Sequence, residues 1–200
     1  DENGVAKSQM YILEGLTKLR QICNSTELIN DEADYGNYSA KLEILIENIK
    51  EKTGNHKILV FSQFVKMLQI VKNKLDDEKI SYEYLDGQTK NRQENVANFQ
   101  ENKDVRVFLI SLKAGGTGLN LTEADYVFII DPWWNPAVEN QAIDRCYRIG
   151  QTKQVMAYRM ICRDTIEEKI VTLQSKKKSV ANSIISIDDE KKSFDIQEVK

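Results

Sequence analysis

The sequence predicts an α/β fold: a mostly parallel central sheet with helices on both faces, plus flanking helices at the N- and C-terminal ends. Three observations carry that expectation. Five apolar runs, Ile58–Phe61, Ile80–Leu85, Val105–Ile110, Tyr126–Ile130 and Val155–Ile161, have the length of strands. They are continuous rather than alternating, as in strands buried on both sides. Helical stretches near 64–77, 89–100 and 136–148 lie among them, with a glycine turn after the third run, so the units read as strand–helix–strand crossovers.

Ahead of the sheet, residues 8–23 predict a helix whose Met10, Leu13, Leu16, Thr17, Leu19 and Ile22 lie opposite charged residues. The polar stretch 24–39 reads as a loop. Ala40–Glu51 predicts a second amphipathic helix through Leu42, Leu45, Ile46 and Ile49, stopping near Thr53-Gly54. After the fifth run, 164–186 returns to helix, with Ile166, Ile170, Leu173, Val180 and Ile184 on one stripe. The domain plan is a helical lead-in and loop over 1–38, the α/β lobe over 39–163, a helix over 164–186 and a mobile, charged tail over 187–200.

Composition excludes several classes. Hydrophobic residues make up 41% of the 200 and charged residues 30%, as in an ordinary water-soluble domain. No apolar run reaches membrane-spanning length, and Asp1-Glu2-Asn3-Gly4 opens no secretory signal; that start suggests a fragment of a longer chain. Cys23, Cys146 and Cys162 are odd in number and widely spaced, and His56 is the only histidine, so neither a disulfide scaffold nor a zinc framework is expected. Free thiols fit a reducing cytoplasm. The net charge of −3 rules out a uniformly basic surface but leaves room for a local basic stripe that engages phosphates. The abundance of Lys, Ile, Asn and Glu points to an AT-rich bacterial genome.

Three segments carry candidate chemistry. Ser111-Leu112-Lys113-Ala114-Gly115-Gly116-Thr117-Gly118-Leu119-Asn120 follows the third strand, and its glycines let backbone N–H groups face an anion. It is also the pattern of an ordinary turn, and Leu121 stands where a dinucleotide fingerprint needs a third glycine. In the helix expected over 136–148, Asn135 can cap, Pro136 suits the first turn and Gly150 can close the end. There Gln141, Arg145 and Arg148 share a face that could fork a terminal phosphate, or could simply be solvated. Phe61-Ser62-Gln63-Phe64 and Leu85-Asp86-Gly87-Gln88-Thr89 place small polar groups at strand ends, with Lys90 and Arg92 just beyond. That is the ligand-binding edge of open α/β sheets, and equally the place for loop and cap chemistry. No glycine is followed by lysine, so the phosphate-cradling loop of Walker type is missing from these residues.

In this order the segments resemble the second RecA-like lobe of SWI/SNF-type superfamily-two ATPases, over residues 8–180. The resemblance runs through Leu16–Cys23, Ser39–Leu42, Val60–Phe64, Leu85–Thr89, the glycine turn with Leu119-Asn120-Leu121-Thr122, then Asp131-Pro132-Trp133-Trp134-Asn135-Pro136 and Gln141–Gln151. It implies arginine fingers at Arg145 and Arg148 with Gln141 beside them, and nucleotide-proximal positions at Gly116, Gly118 and Asp144. It implies DNA contacts at Ser62, Gln63, Gly87, Arg92, Lys113, Thr117, Trp133 and Trp134, with one tryptophan expected to pack instead. The helix from 164 would brace the lobes, and no metal ligand is implied in this chain. Asp31-Glu32-Ala33-Asp34 spells a helicase magnesium-site string, but in a polar stretch rather than at a buried strand end, and reads as a decoy.

The resemblance therefore implies the C-terminal half of a DNA-stimulated, ATP-dependent translocase or remodeller acting on double-stranded DNA. ATP and Mg²⁺ would be held mainly by an N-terminal lobe, a DNA-bound protein would be a further partner, and these 200 residues alone would be inactive. The location implied is cytoplasmic, at the nucleoid. The competing expectation is a stand-alone nucleic-acid binding module. His56 is expected at a strand edge and Cys146 in the core.

Overall fold

The computed structural model describes residues 2–29, 35–115, 118–146 and 151–177. Its elements are α1 (Glu2–Asn24), a single turn of tighter helix (Thr26–Leu28), α2 (Ala40–Lys52), β1 (Ile58–Ser62), α3 (Val65–Asp77), β2 (Tyr82–Leu85) and α4 (Arg92–Glu101). Then come β3 (Val107–Ser111), the one-turn α5 (Leu112–Gly115), β4 (Tyr126–Ile129), α6 (Pro136–Ile143), β5 (Met156–Arg159) and a last helix, α7, over 166–177. Asp31-Glu32-Ala33-Asp34, Val180, Ile184 and the expected tail lie outside the described residues.

The five strands form one sheet in the order β2-β3-β1-β4-β5, every neighbouring pair parallel. Ile58, Val60, Val107, Leu109 and Phe128 face one layer, where Leu45, Ile46 and Ile49 of α2 meet Met67, Leu68, Val71 and Leu75 of α3. Leu59, Phe61, Phe108, Ile110, Val127 and Ile129 face the other layer, with Phe99 of α4, Leu112 and Ala114 of α5 and Ala142 of α6. Continuous apolar strands are what a sheet covered on both faces requires.

Two expectations change. All four residues of β5 are exposed. It pairs only with β4, so it is an edge strand rather than one buried on both sides, and Tyr158 stacks its ring on Phe128 at 5.1 Å. The stripe on α1 is not core either: Met10, Leu13, Leu19 and Ile22 are exposed, while Arg20 and Asn24 are the buried residues.

Polar groups fix how the helices enter. The Ser39 hydroxyl accepts from Leu42 N at 3.1 Å and donates to Asn24 O, which caps α2 and ties it to the end of α1. Lys57, just before β1, donates to the carbonyls of Phe99, Gln100 and Asn102, closing the C-terminal end of α4. Burial lowers the pKa of that lysine. His56 pairs through Nδ1 with Asp125 at 2.6 Å beside the same strand end.

Candidate functional site

In a parallel sheet every strand delivers its C-terminal end to one edge, and here β1, β3 and β4 deliver Gln63, Lys113 and Trp133. With Leu112 and with Val138 and Gln141 of α6 they line a hollow of ≈ 240 Å³. Four residues singled out from the sequence are thus brought together. Arg92 and Gly118 line a separate cleft of ≈ 440 Å³ between α4 and the glycine turn. Gly87 lies exposed in the turn after β2, where Asp86 accepts from Gln88 N and Thr89 Oγ1. Arg92 reaches back to donate to Asp86 O at 3.2 Å.

Ser62 corrects the reading of a DNA-contacting hydroxyl. It is fully buried, and its Oγ donates to Asp131, whose other carboxylate oxygen accepts from Gln63 N at 3.2 Å. The hydroxyl thus fixes the strand end rather than reaching outward. Asp131 is itself fully buried, and desolvation pushes its pKa up to about 6 despite the hydrogen bonds from Ser62 and Gln63 and the charges of Lys41 and Arg20.

The glycine turn is close-packed at its start. A Cβ on Gly115 would meet Phe61 Cε1 at 2.9 Å, so the core strand demands glycine there. Gly118 has a φ of +55°, the left-handed region that favours glycine. Gly116 and Thr117 lie outside the described residues.

The arginine segment also departs from expectation. Asn135 caps α6 by accepting from Ala137 N at 3.0 Å, with Pro136 in the first turn, but the helix ends at Ile143 rather than continuing to 148. The Arg145 carbonyl accepts from Leu121 N at 3.1 Å, and Cys146 turns fully into the core. A continuing helix would aim that carbonyl along its own axis. Gln141 and Asp144 are exposed, whereas Arg145 is only 6% exposed, so Gln141 and Arg145 do not share an open helical face. Arg148 and Gly150 lie outside the described residues. Gln151 fastens the far side, its amide donating to the carbonyls of Thr122, Ala124 and Cys146.

Trp133 packs partly against the core, and Trp134 is more exposed. Trp133 N donates to Glu139 Oε1 at 2.6 Å, and Gln174 of α7 donates to Trp133 O and to Glu139. Arg159 of β5 pairs with the same fully buried Glu139 at 2.5 Å. Beneath them Lys41 donates to Asn24 Oδ1, Ile130 O and Glu167 Oε1 at 3.0, 2.7 and 2.6 Å. Sequence reasoning gave no role to Arg20, Lys41 and Asp131, although they lie in the quoted segments Leu16–Cys23, Ser39–Leu42 and Asp131–Pro136, and none to Glu139 and Glu167. Each is a single charge on a helix or loop, a pattern that usually means solvent. Among the described residues no group of three His, Cys, Asp or Glu could hold a metal ion. The donors at this edge, a lysine and two amides, fit a phosphate oxygen rather than a cation.

The family model for the helicase conserved C-terminal domain matches residues 40–150. An ATP-dependent helicase of Mycoplasma genitalium is 40% identical over 184 residues, 90% of this chain and 18% of that protein. The human chromatin-remodeling ATPase INO80 is 42% identical over 147 residues, 72% of this chain and 9% of that protein. DNA repair protein rad8 of Schizosaccharomyces pombe is 38% identical over 185 residues, 88% of this chain and 16% of that protein. The crystal structure of the C-terminal part of the Fun30 ATPase domain superposes with a TM-score of 0.65 at 39% identity, covering 68% of this chain and 45% of that one. The chain spans less than a fifth of these curated relatives. Its parallel five-stranded sheet, its ordered motifs and these matches together place it in the helicase conserved C-terminal domain family, as the C-terminal lobe of an SWI/SNF-type ATPase.

Proposed function

We propose that this lobe is the DNA-facing, arginine-bearing half of a DNA-stimulated, ATP-dependent translocase on double-stranded DNA. The observation that carries the reading is the convergence of Gln63, Lys113, Trp133 and Gln141 on one hollow at the C-terminal sheet edge. An amide pair and an ammonium beside an aromatic wall suit a phosphate oxygen and a sugar or base face. ATP and Mg²⁺ would be held by an N-terminal lobe of the same polypeptide, because the Walker-type loop is missing from these residues. When bound, the nucleotide supplies the phosphoryl group whose transfer to water drives movement.

The residues of this chain would act from the opposite side. Lys113 offers a phosphate contact to DNA, and Gly118 and Arg92 border the neighbouring cleft. Because Arg145 is buried, we assign the γ-phosphate contact to Arg148 and give Arg145 the role of holding the turn that ends α6, through its carbonyl's bond from Leu121 N. Closing the lobes would bring that guanidinium onto developing charge.

The test is Arg148→Ala in the parent ATPase. DNA-stimulated turnover should fall by about 10³-fold or more, the scale of an arginine finger, while DNA affinity stays within about twofold. A variant that keeps most of its turnover would remove the assignment.

A further inference from the structure

Arg20 is a charged residue of α1 that is only 3% exposed, on a helix whose large apolar side chains face outward. Its guanidinium carbon lies 5.5 Å from the Phe64 ring centroid, 5.8 Å from that of Trp133 and 5.5 Å from that of Trp134. Nη2 donates to Pro132 O at 2.5 Å, and the nearest carboxylate oxygen, on Asp131, is 3.9 Å away. Nε is buried without a hydrogen-bond partner.

As a stabilising ion pair this is a poor arrangement. The carboxylate is distant, a donor is unmet, and removing the charge from water is costly. What the site does offer is geometry. A planar cation is held among three rings, a face that a lysine ammonium does not present. The three rings belong to the two segments that form the candidate DNA edge. Phe64 directly follows Ser62 and Gln63, and Trp133 lines the hollow that contains Gln63, Lys113 and Gln141. Asp131, next to Pro132, fixes Ser62 and Gln63 through its carboxylate.

We infer that Arg20 is a positioning residue. It sets the Trp133–Trp134 loop against the Ser62–Phe64 strand end, so that the DNA edge is preformed and moves with α1. The positioning itself follows from the contacts; its consequence for catalysis rests on the DNA-stimulated ATPase reading above.

The chain contains two tryptophans, both in this cluster, so 5-fluorotryptophan gives two ¹⁹F resonances, assignable with Trp134→Phe. In the 200-residue chain, Arg20→Met should shift and broaden both resonances. Arg20→Lys keeps the charge without the planar face and should shift them part of the way. In the parent ATPase, Arg20→Lys should raise the half-stimulating DNA concentration by roughly tenfold, the scale of one or two lost cation–π contacts, with the KM for ATP nearly unchanged. A merely structural role would lower maximal turnover with the folded fraction and move neither constant.

Unmoved resonances in both variants would overturn the proposal, as would loss of folding in both. Shifted resonances with an unchanged DNA constant would overturn the link to the DNA edge. If the unsubstituted parent shows no DNA-stimulated turnover, it is the functional reading that fails, and the resonances still decide whether Arg20 positions the tryptophans.

Discussion

Removing the ammonium of Lys41 by Lys41→Met perturbs the joint where α1, α2, β4 and α7 meet. Lys41 is 4% exposed and Glu167 fully buried, and their charged atoms are 2.6 Å apart. Methionine refills most of the lysine stem, so the cavity contribution is small. What remains is a carboxylate in the interior that has lost its direct ion pair and keeps only the more distant charge of Arg20, a break that typically costs about 3–5 kcal/mol. Glu167 keeps one compensating bond, from Cys162 N at 3.0 Å, which favours the lower end of that range, about 3 kcal/mol. Urea denaturation of the 200-residue chain, followed by circular dichroism, reads the loss directly. The second arm is Lys41→Met with Glu167→Gln, where the amide oxygen can still accept from Cys162 N. That double variant should regain more than half of the loss. A single variant within about 1 kcal/mol of the parent, the scale of a surface pair, would refute the reasoning, as would a cycle without coupling.

Two further outcomes follow from titratable groups. Burial raises the Asp131 carboxyl to about 6 from the ordinary 3.8, so between those values the folded chain keeps a proton that the unfolded chain has released. Stability should therefore fall as pH rises through that window, by about 3 kcal/mol in all, and Asp131→Asn should flatten the slope; an equal slope in the variant would exclude Asp131 as its source. Among the thiols, a hydrogen bond from Cys162 brings Cys23 down to about 7, while burial pushes Cys146 up to about 12. The same contact and burial raise the Cys162 thiol, so alkylation followed by mass spectrometry near neutral pH should label Cys23 ahead of both Cys146 and Cys162; equal rates in the folded chain would contradict that order.

Much of this architecture was legible in the residues. The five runs gave the strands within a few positions; for β1, β3 and β4 the reason is that strands covered on both faces must be apolar throughout, and Asn135-Pro136 marked the start of α6. Periodicity failed where tertiary contacts decide. The helix after Pro136 stops at Ile143 because the Arg145 carbonyl bonds Leu121 and Cys146 turns into the core, contacts that no local pattern encodes. The stripe on α1 looked like a core face, yet Arg20 and Asn24 make the buried contacts. Cys23 and Cys162, far apart in sequence, meet with Cys162 Sγ 3.2 Å from Cys23 O. At the candidate edge the strand-end positions were visible, but the inward turn of Ser62 depends on a partner 69 residues away.

The strand order also governs how the chain can assemble. β1 lies at the centre of the sheet, yet its neighbours are β3 and β4, with Ile58 opposite Val107 and Tyr126. No ladder can therefore form between β1 and the strand made directly after it. The first pairing of β1 must close a loop that already contains α3, β2 and α4, whereas β2 can pair β3 across α4 alone. Such long closures slow folding. A growing chain that has reached only residue 104 holds Ile58, Leu59, Val60 and Phe61 with neither strand partner yet made, so the central strand stays exposed until most of the lobe has been synthesised.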